Sequence, residues 1–464
     1  MDLLLHEYGK GRGGLSWRPM AGFRVLKFGG SALAHGNAIS MACELVLTQG
    51  GERTVVVVSA LQGVTDRLIE AAQAATRDED LGAELRIRHR TVCRELGLPS
   101  DLLDRLWREL QGLLGQIRIR ASLTPQALDQ VLSFGERASA RIVAAVLRQA
   151  GVLATPVDAF DLGFETEAAT GWSRLAPGVA DRIGPALAQI PGIPIVTGFL
   201  AKDALGNLTT LGRDGSDWTA AVIAGALRAD ELIYWKDVPG ILSADPRWVS
   251  GAQTLARVSF CEARELAFQG AQVLHSAALD DPDKLGIQVR VKSFQRPQVP
   301  GTVLTPSEFR TGAVAVACQP ELVGVFFEGE SAGRMQAKLS SALVRLGSAH
   351  LLARFLEQGG SGAAFWFDDG PHTDSLLDEL PPAAQIRRDQ ASVAVVGENL
   401  GQNIELYRHC LAALEQGAIE LHGTHWGDRA HGLSFLVARD SLADAMQRLH
   451  DSVVGLPLAS SSES

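Results

Sequence analysis

The sequence predicts a mostly parallel, three-layer α/β domain followed by two smaller α+β units. Three observations support this fold class. TVVVVSA at 54–60 is a continuous, largely β-branched run, as expected for a parallel strand buried on both faces. Predicted strands alternate with helices up to about Leu304, which is typical of α/β folds. Beyond residue 312 the order becomes strand, helix, strand, strand, helix, and it then repeats.

The larger domain begins at Phe23. FRVLKF is predicted to be a strand, GGS a turn, and the following segment a helix. Helical spacing recurs at 66–121 and 126–151. Further strands are predicted near 153–159, 193–201, 231–238 and 288–294, with helices at 216–228 and 261–270. The prolines of RPQVPGTVLTP indicate that this domain ends near Leu304.

Two α+β units are expected after it, the first less regular than the second. The first consists of VAVACQPELVGVFFE, a helix at 331–347 and GAAFWFDD. The second consists of ASVAVVGE at 391–398, a helix at 402–416, AIELHGTHWG, GLSFLVARD and a helix at 441–453. We therefore predict a tail at 1–22, the α/β domain at 23–304, and α+β units at 312–388 and 389–458.

Composition excludes several classes of protein. A chain of 464 residues predicts more than one domain. The net charge of −10 gives no electrostatic reason to expect nucleic acid or an anionic membrane as partner. No apolar run approaches the roughly 18 residues needed to span a bilayer. Five widely spaced cysteines form no CxxC, which argues against a disulfide framework or structural zinc and favours the reducing cytoplasm.

The first segment with anion-binding chemistry is KFGGS, in which Lys27 precedes Gly29, Gly30 and Ser31 at the end of a predicted strand. Glycines there allow backbone N–H groups to approach an anion. The lysine can neutralise charge on a transferring phosphoryl group. The alternative interpretation is a strand-end lysine beside a tight turn.

The second and third segments add polar groups at similar places. In SALQGVTD, Ser59 and Thr65 lie between a buried strand and a helix, where ligands and anions bind. Simple N-capping by Thr65 is the alternative. In SFGER, Glu136 stands in an Ala- and Val-rich helix, so it is either half-exposed or meets a cation.

The fourth segment, TTLGRDGSDWT, is the most informative. It places Arg213 in a glycine-flanked turn before an Ala-rich helix. Arginine offers a bidentate fork to a carboxylate, and Ser216 and Asp217 suit the helix cap. A capping turn alone would not need the arginine, so this segment favours carboxylate binding.

Together these segments resemble the aspartate kinase branch of the amino-acid kinase family. Seven segments correspond to motifs of that family: Lys27–Ala32 to KFGGTS, Ser59–Asp66 to SAxxGVTD, Gly135–Arg137 to GER, Thr209–Asp217 to TTLGRxGSD, Trp235–Arg247 to WTDVxGxxTADPR, Glu265–Ser276 to ELAxxGAKVLHP, and Val289–Thr302 to VRVKN…PGT. Their order and spacing agree over residues 23–304, and that family carries paired C-terminal ACT-like units. The resemblance therefore implies an amino-acid kinase domain followed by two ACT-like units, the first of them degenerate.

The resemblance implies ATP-dependent phosphorylation of the side-chain carboxylate of L-aspartate to 4-phospho-L-aspartate, the first step toward aspartate semialdehyde and the aspartate-family amino acids. ATP and Mg²⁺ would be the cofactors, no protein metal site is assigned, and the protein would be a homodimer or higher homo-oligomer through the ACT-like units. The implied catalytic residues are Lys27 and Asp217, with Asp217 and Ser216 at the phosphate and Mg²⁺ end. The implied substrate-binding residues are Ser59, Thr65, Glu136, Arg213 and Ser216, with Arg213 on the α-carboxylate and Glu136 on the α-ammonium. The implied nucleotide-binding residues are Gly29, Gly30, Ser31, Trp235, Lys236, Asp237, Arg247 and Lys292.

The sequence departs from the family pattern at several positions. Lys236 replaces the threonine of WTDV, and Gln272 replaces the lysine of GAKVLHP. HLLARFLEQGGSG at 350–362 stands where members carry an effector segment, so regulation by lysine or threonine stays open. We assign His422, His425 and His431 to loops and strand ends rather than to a metal site, because no fourth ligand is evident.

Two alternatives remain. One is a specialised-pathway kinase acting on aspartate or a closely related amino acid, which would fit these substitutions. The other is a catalytically silent amino-acid sensor subunit, which the presence of Lys27, Glu136, Arg213 and Asp217 makes the weaker of the two.

Overall fold

The structure is a computed structural model that describes residues 22–51, 53–167, 174–212, 214–271, 273–307, 312–328, 353–359, 362–369, 373–378, 380, 384–426 and 431–454. Its strands are β1 (Phe23–Phe28), β2 (Arg53–Val58), β3 (Ala154–Val157), β4 (Glu165–Glu167), β5 (Arg174–Leu175), β6 (Ile193–Thr197), β7 (Leu200–Asp203), β8 (Leu208–Thr210), β9 (Glu231–Lys236), β10 (Arg257–Ser259), β11 (Gln288–Ser293), β12 (Thr302–Thr305), β13 (Gly312–Glu328), β14 (Ala353–Gly359), β15 (Gly362–Asp368), β16 (Gln385–Glu398), β17 (Leu421–His425) and β18 (Gly432–Ala438).

The helices are α1 (Gly36–Gln49), α2 (Val64–Ala75), α3 (Gly82–Glu95), α4 (Asp104–Arg120), α5 (Pro125–Gln149), α6 (Val179–Leu187), α7 (Gly215–Leu227), α8 (Phe260–Phe268), α9 (Asp280–Leu285), α10 (Thr373–Asp378), α11 (Ile404–Gln416) and α12 (Leu442–Val453). The N-terminal tail and the helix expected at 331–347 lie outside the described residues, apart from Gly22. Within the described ranges, no helix is both long and apolar enough to cross a membrane.

An eight-stranded sheet organises the first part of the chain, in the order β10-β12-β11-β9-β1-β2-β6-β3. Its pairings are parallel except for β11 with β12. Alternate strand residues face opposite layers, since successive side chains of a strand point to opposite faces. Leu26 and Val56 pack with α1–α5, whereas Val25 and Val57 pack with α6, α7 and α8. The predicted three-layer, mostly parallel domain is confirmed.

The prediction of one strand at 193–201 is wrong. The chain leaves the main sheet after β6, and β7 joins a separate sheet in the order β5-β4-β7-β8. Phe199 causes the break, because its φ of 68° is incompatible with an extended strand. The predicted turn at GGS is also different, since Gly30–Leu33 form a 3₁₀ helix.

A six-stranded antiparallel sheet follows, in the order β14-β15-β13-β16-β18-β17. The long strands β13 and β16 pair at its centre and join its two halves. The strand β13 passes through Pro320, which has no backbone N–H, and the register shifts there between Gln319 and Leu322. Such a sheet is consistent with ACT-like units. The expected boundary at 388/389 falls inside β16, and the division into two units stays a prediction.

The second sheet contacts the loop that follows β9. Ser243 Oγ lies 2.9 Å from His450 Nε2 on α12, and the Ser250 N–H donates to Gln447 Oε1 at 3.1 Å. Ala244 and Val249 of this loop are buried in the apolar core of the second sheet. The two sheets therefore meet at this loop.

An ion cluster anchors α5 to the main sheet. Buried Asp158, which follows β3, accepts hydrogen bonds from Arg141 Nη1 at 2.6 Å and from Arg137 Nε at 3.2 Å. Both arginines lie on α5, so this carboxylate fixes the long helix over the carboxyl ends of the strands.

Replacing Asp158 should therefore destabilise the fold. We expect Asp158→Ala to lower the free energy of unfolding by about 2–3 kcal/mol, less than for a fully buried pair because the arginines are partly exposed. Urea unfolding measures the change. The matched control Asp161→Ala removes a largely exposed carboxylate three residues later and should stay within about 0.5 kcal/mol of wild type. Equal losses in the two variants would contradict the assignment.

Candidate active site

The candidate site lies at the carboxyl ends of four neighbouring strands, β9, β1, β2 and β6. The loops that follow these strands are held together by backbone hydrogen bonds. The Ser59 N–H donates to Phe28 O at 3.2 Å, and the Gly198 N–H donates to Val58 O at 2.9 Å. Ligands of open α/β sheets bind at this edge.

Two lysines share one buried carboxylate at the centre of the site. Lys27, on β1, forms an ion pair with Asp217 Oδ1. Lys236, the last residue of β9, donates a hydrogen bond from Nζ to Asp217 Oδ2 at 2.8 Å. The side chains of Lys27, Asp217 and Lys236 are 5%, 1% and 17% exposed. The predicted catalytic pair is thus brought together, and Lys236 joins it.

The charges of this cluster shift one another's ionisation. Burial by itself would raise the pKa of Asp217, but Lys236 and Lys27 outweigh it and lower the pKa to about 2. Burial opposes the charged form of Lys236 as well, yet Asp217 keeps its pKa above the usual value. Burial lowers the pKa of Lys27, and Asp217 offsets this in part. With all three ionised, the cluster carries one excess positive charge, which favours an anionic ligand.

The start of α7 sets the position of Asp217. The helix begins at Gly215, after Asp214 in the left-handed conformation. Ser216 and Asp217 therefore lie inside the first turn, and the expectation that they form the cap is wrong. The Tyr234 hydroxyl donates to the carbonyl of Asp217 at 3.1 Å, and Tyr234 is fully buried on β9. Sequence reasoning missed this residue, because a tyrosine in an apolar strand gives no signal beyond core packing.

A second close approach brings β6 to the same helix turn. A Cβ added at Gly198 would lie 2.5 Å from Ser216 Cβ. This position was also missed by sequence reasoning. The available signal was a glycine inside a predicted buried strand, which indicates close approach of another backbone.

Glu136 is a buried carboxylate with one uncommitted oxygen. Its Oε1 accepts a hydrogen bond from the Ala60 N–H at 3.1 Å, while Oε2 has no hydrogen-bond partner among the described residues. Gly135 permits this approach, since a Cβ there would lie 2.7 Å from Ala60 Cβ. Burial raises the pKa of Glu136 to about 7, against the opposing Ala60 hydrogen bond. The arrangement suits a bound cation.

The loops after β1 and β2 adjoin each other. A Cβ at Gly30 would lie 3.2 Å from the carbonyl oxygen of Ala60. Gly29 donates its N–H toward Trp235 O at 3.5 Å, and Ser31 and Ser59 are half-buried. Thr65 is the second residue of α2, whose N-cap is Gly63, so capping by Thr65 is wrong.

The expected nucleotide-binding residues are less closely grouped. Trp235 is fully buried and stacks on Phe28 with ring centroids 6.3 Å apart, so it supports the floor of the site and does not line it. Lys292 on β11 has its Nζ 5.3 Å from the Trp235 ring centroid. Asp237 is exposed, and the largely exposed Arg247 pairs with Asp245 in its own loop at 2.5 Å. Arg213 and Gln272 lie outside the described residues.

The described residues form no cluster suited to hold a metal ion on their own. The described ranges contain no group of three or more His, Cys, Asp or Glu side chains that could hold a metal ion. Both oxygens of Asp217 already contact lysines. Of the histidines considered above, His422 Nδ1 lies 2.5 Å from Gln390 Nε2, and His431 Nδ1 accepts from the Asn399 N–H at 3.4 Å.

Known proteins resemble this chain in sequence and in architecture. Residues 22–293 match the family model of the Amino acid kinase family. Aspartokinase 1, chloroplastic, of Arabidopsis thaliana is 38% identical over 303 residues, covering 62% of this chain and 53% of the relative. This chain thus spans about half the length of such plant relatives. The lysine-sensitive aspartokinase 3 of Escherichia coli (strain K12) is 30% identical over 454 residues, covering 92% of this chain and 98% of the relative.

Solved structures agree with these sequence matches. E. coli aspartokinase III in complex with aspartate and ADP, in the R-state, matches with a TM-score of 0.80 at 26% identity, covering 93% of this chain and 99% of that one. The same enzyme with lysine and aspartate, in the T-state, gives a TM-score of 0.74, with 92% and 99% covered. By the matched catalytic region and the nearly full-length agreement with an E. coli relative, this chain belongs to the amino acid kinase family, in its aspartokinase branch.

Proposed function

We propose that this protein catalyses the ATP-dependent phosphorylation of the side-chain carboxylate of L-aspartate, giving 4-phospho-L-aspartate. The observation that carries the proposal is the buried cluster of Lys27, Asp217 and Lys236 at the same sheet edge as Glu136. Its excess positive charge suits phosphate, and the uncommitted oxygen of Glu136 suits the ammonium of an amino acid. The aspartate and ADP bound by the matched E. coli structure support the same pair of ligands.

In this reaction an oxygen of the aspartate side chain attacks the γ-phosphorus, and the bond from that phosphorus to the bridging oxygen breaks, so that its electron pair leaves with ADP. No proton has to move, so positioning and electrostatics supply the catalysis. Lys27 stabilises charge on the transferring phosphoryl group, and Asp217 holds the lysine in place. Glu136 binds the α-ammonium, and Ser59, Thr65 and Ser216 supply hydroxyl groups. Arg213, in the motif it shares with the family, binds the α-carboxylate.

The nucleotide lies on the side of β9 and β11 in this proposal. Gly29, Gly30, Ser31, Lys236, Asp237, Arg247 and Lys292 are the residues assigned to it, above the floor made by Trp235. Mg²⁺ would enter with the nucleotide and would neutralise charge on its phosphates, since it usually keeps several waters and needs few carboxylates. Asp214 is exposed directly before α7 and acts electrostatically on both Lys27 and Lys236, so it would be the carboxylate to hold the ion.

The product is the activated intermediate that precedes aspartate semialdehyde and the aspartate-family amino acids. A specialised-pathway kinase would use the same residues on a related amino acid, and no feature of the site favours it. The silent sensor is disfavoured because Lys27, Asp217 and Glu136 are assembled in one site. We further infer a homo-oligomer through β14 and β17, which are the edge strands of the second sheet among the described residues, since edge strands favour pairing with another chain. The five unpaired cysteines support a reducing cytoplasm.

The substrate assignment predicts a clear preference. Hydroxylamine traps acyl phosphates as hydroxamates, so we expect ATP- and Mg²⁺-dependent hydroxamate from L-aspartate. L-Glutamate, one methylene longer, should be poorer by about 10–200-fold in kcat/KM. A panel in which L-glutamate or N-acetylglutamate exceeds L-aspartate would remove the proposed function, and no acceptor at all would favour the sensor.

Glu136 predicts how aspartate binding depends on pH. The ionised carboxylate binds the ammonium, and its pKa in the unliganded protein is raised to about 7. Lowering the pH from 8 to 6 therefore protonates the site and should raise the aspartate KM by about tenfold, because a proton must be lost on binding. The matched control Glu136→Gln should have a higher KM that changes little over this range. A wild-type KM that is flat between pH 6 and 8 would contradict the assignment.

Lys27 should act chiefly on the transition state. We expect Lys27→Ala to lower kcat by about 10²–10³-fold with little change in aspartate KM, because the charge it stabilises develops during transfer. Arg213→Ala should instead raise the aspartate KM and leave ATP affinity largely unaffected. Steady-state kinetics with each substrate varied in turn separates the two. If Arg213→Ala weakens ATP alone, the substrate end of the site is wrongly assigned.

A further inference from the structure

Lys236 stands out because the aspartokinase motif that it interrupts carries a threonine at this position. We propose that Lys236 is a second catalytic lysine, which stabilises the negative charge that develops on the phosphate leaving with ADP. Lys27 stabilises the transferring phosphoryl group. The proposal rests on the kinase function proposed above and assigns a role to a residue specific to this chain.

The sheet order separates the two lysines along the direction of transfer. Strand β1, with Lys27, lies beside β2, whose loop carries the backbone N–H that contacts Glu136. Strand β9, with Lys236, lies on the opposite side of β1 and next to β11. Lys27 is therefore nearer the acceptor and Lys236 nearer the nucleotide. The carboxylate of Asp217 spans the gap, since it holds one lysine on each oxygen.

The charge balance of the cluster argues against a purely structural role for Lys236. Lys27 already contacts the buried carboxylate of Asp217. The carboxylates of Asp214 and Asp237 also favour the charged form of Lys236, but both are exposed to solvent. A second buried lysine adds a charge that costs free energy unless an anion compensates it. The Lys236 side chain retains 17% exposure, against 5% for Lys27, so it can be reached from the site. A phosphate is the anion that the reaction provides.

The step that Lys236 assists is the cleavage of the bond between the γ-phosphorus and the bridging oxygen. The electron pair of this bond moves onto the leaving ADP, and the fixed ammonium of Lys236 stabilises the added negative charge. The new bond joins the phosphorus to the aspartate side-chain oxygen. Lys236 stays protonated throughout, which its raised pKa favours.

The test removes the charge and keeps the length of the side chain. In Lys236→Met we expect kcat to fall by about 10²–10³-fold, the aspartate KM to change by less than about threefold, and the Kd of ADP measured by calorimetry to rise by about tenfold. Lys236→Arg, which keeps the charge, should recover at least part of the lost kcat. Lys202→Met removes a lysine of β7 that lies over the Phe160 ring and should leave kcat within about twofold.

The outcomes separate this proposal from the proposed function. A folded Lys236→Met variant with kcat and ADP affinity within about threefold of wild type would overturn the role of Lys236 and leave the kinase function standing. A rise in aspartate KM at unchanged kcat would also overturn it, because that result places Lys236 at the substrate. Absence of hydroxamate with wild-type protein would overturn the function and this proposal together.

Discussion

The sharing of one buried carboxylate by two lysines is the constraint on which the rest of the site depends. Asp217 favours the charged forms of Lys27 and Lys236 in a place where burial favours their neutral forms. The same contacts connect the first turn of α7 to the ends of β1 and β9, and the Tyr234 hydroxyl reinforces them through the Asp217 carbonyl. Loss of this carboxylate would leave two buried cations uncompensated. The ion pairs of Asp217 therefore constrain the positions of α7, β1 and β9 as much as packing does.

Close backbone approach allows the end of the site that contains Glu136 to form. Gly135 lets α5 contact the loop after β2, and the Ala60 N–H then fixes one oxygen of Glu136. The second oxygen remains available to a ligand, and burial raises the pKa of this carboxyl group. The cluster around Asp158 holds α5 in this position from the other side. A fixed cation centre and a fixed anion thus face one sheet edge, as a zwitterion with a second carboxylate requires.

The contact between the two sheets adds a physical connection to the Lys236 end of the site. The loop that begins directly after Lys236 is held by His450 and Gln447 of α12, and its apolar residues belong to the core of the second sheet. The second sheet and the Lys236 end of the site therefore share a segment of chain.

The sequence by itself determined the class of fold and the motif-bearing loops. Continuous β-branched runs and strand-helix alternation are local properties, and glycine-flanked motifs report local backbone needs. Only the tertiary structure decided that Lys236 belongs to the Asp217 cluster, that Trp235 is a buried floor, and that Tyr234 and Gly198 position α7. These facts depend on which strands are neighbours and how closely loops approach, and residues far apart in sequence carry no signal of either. The break at Phe199 escaped prediction for the same reason, because packing between distant segments overrode local pattern.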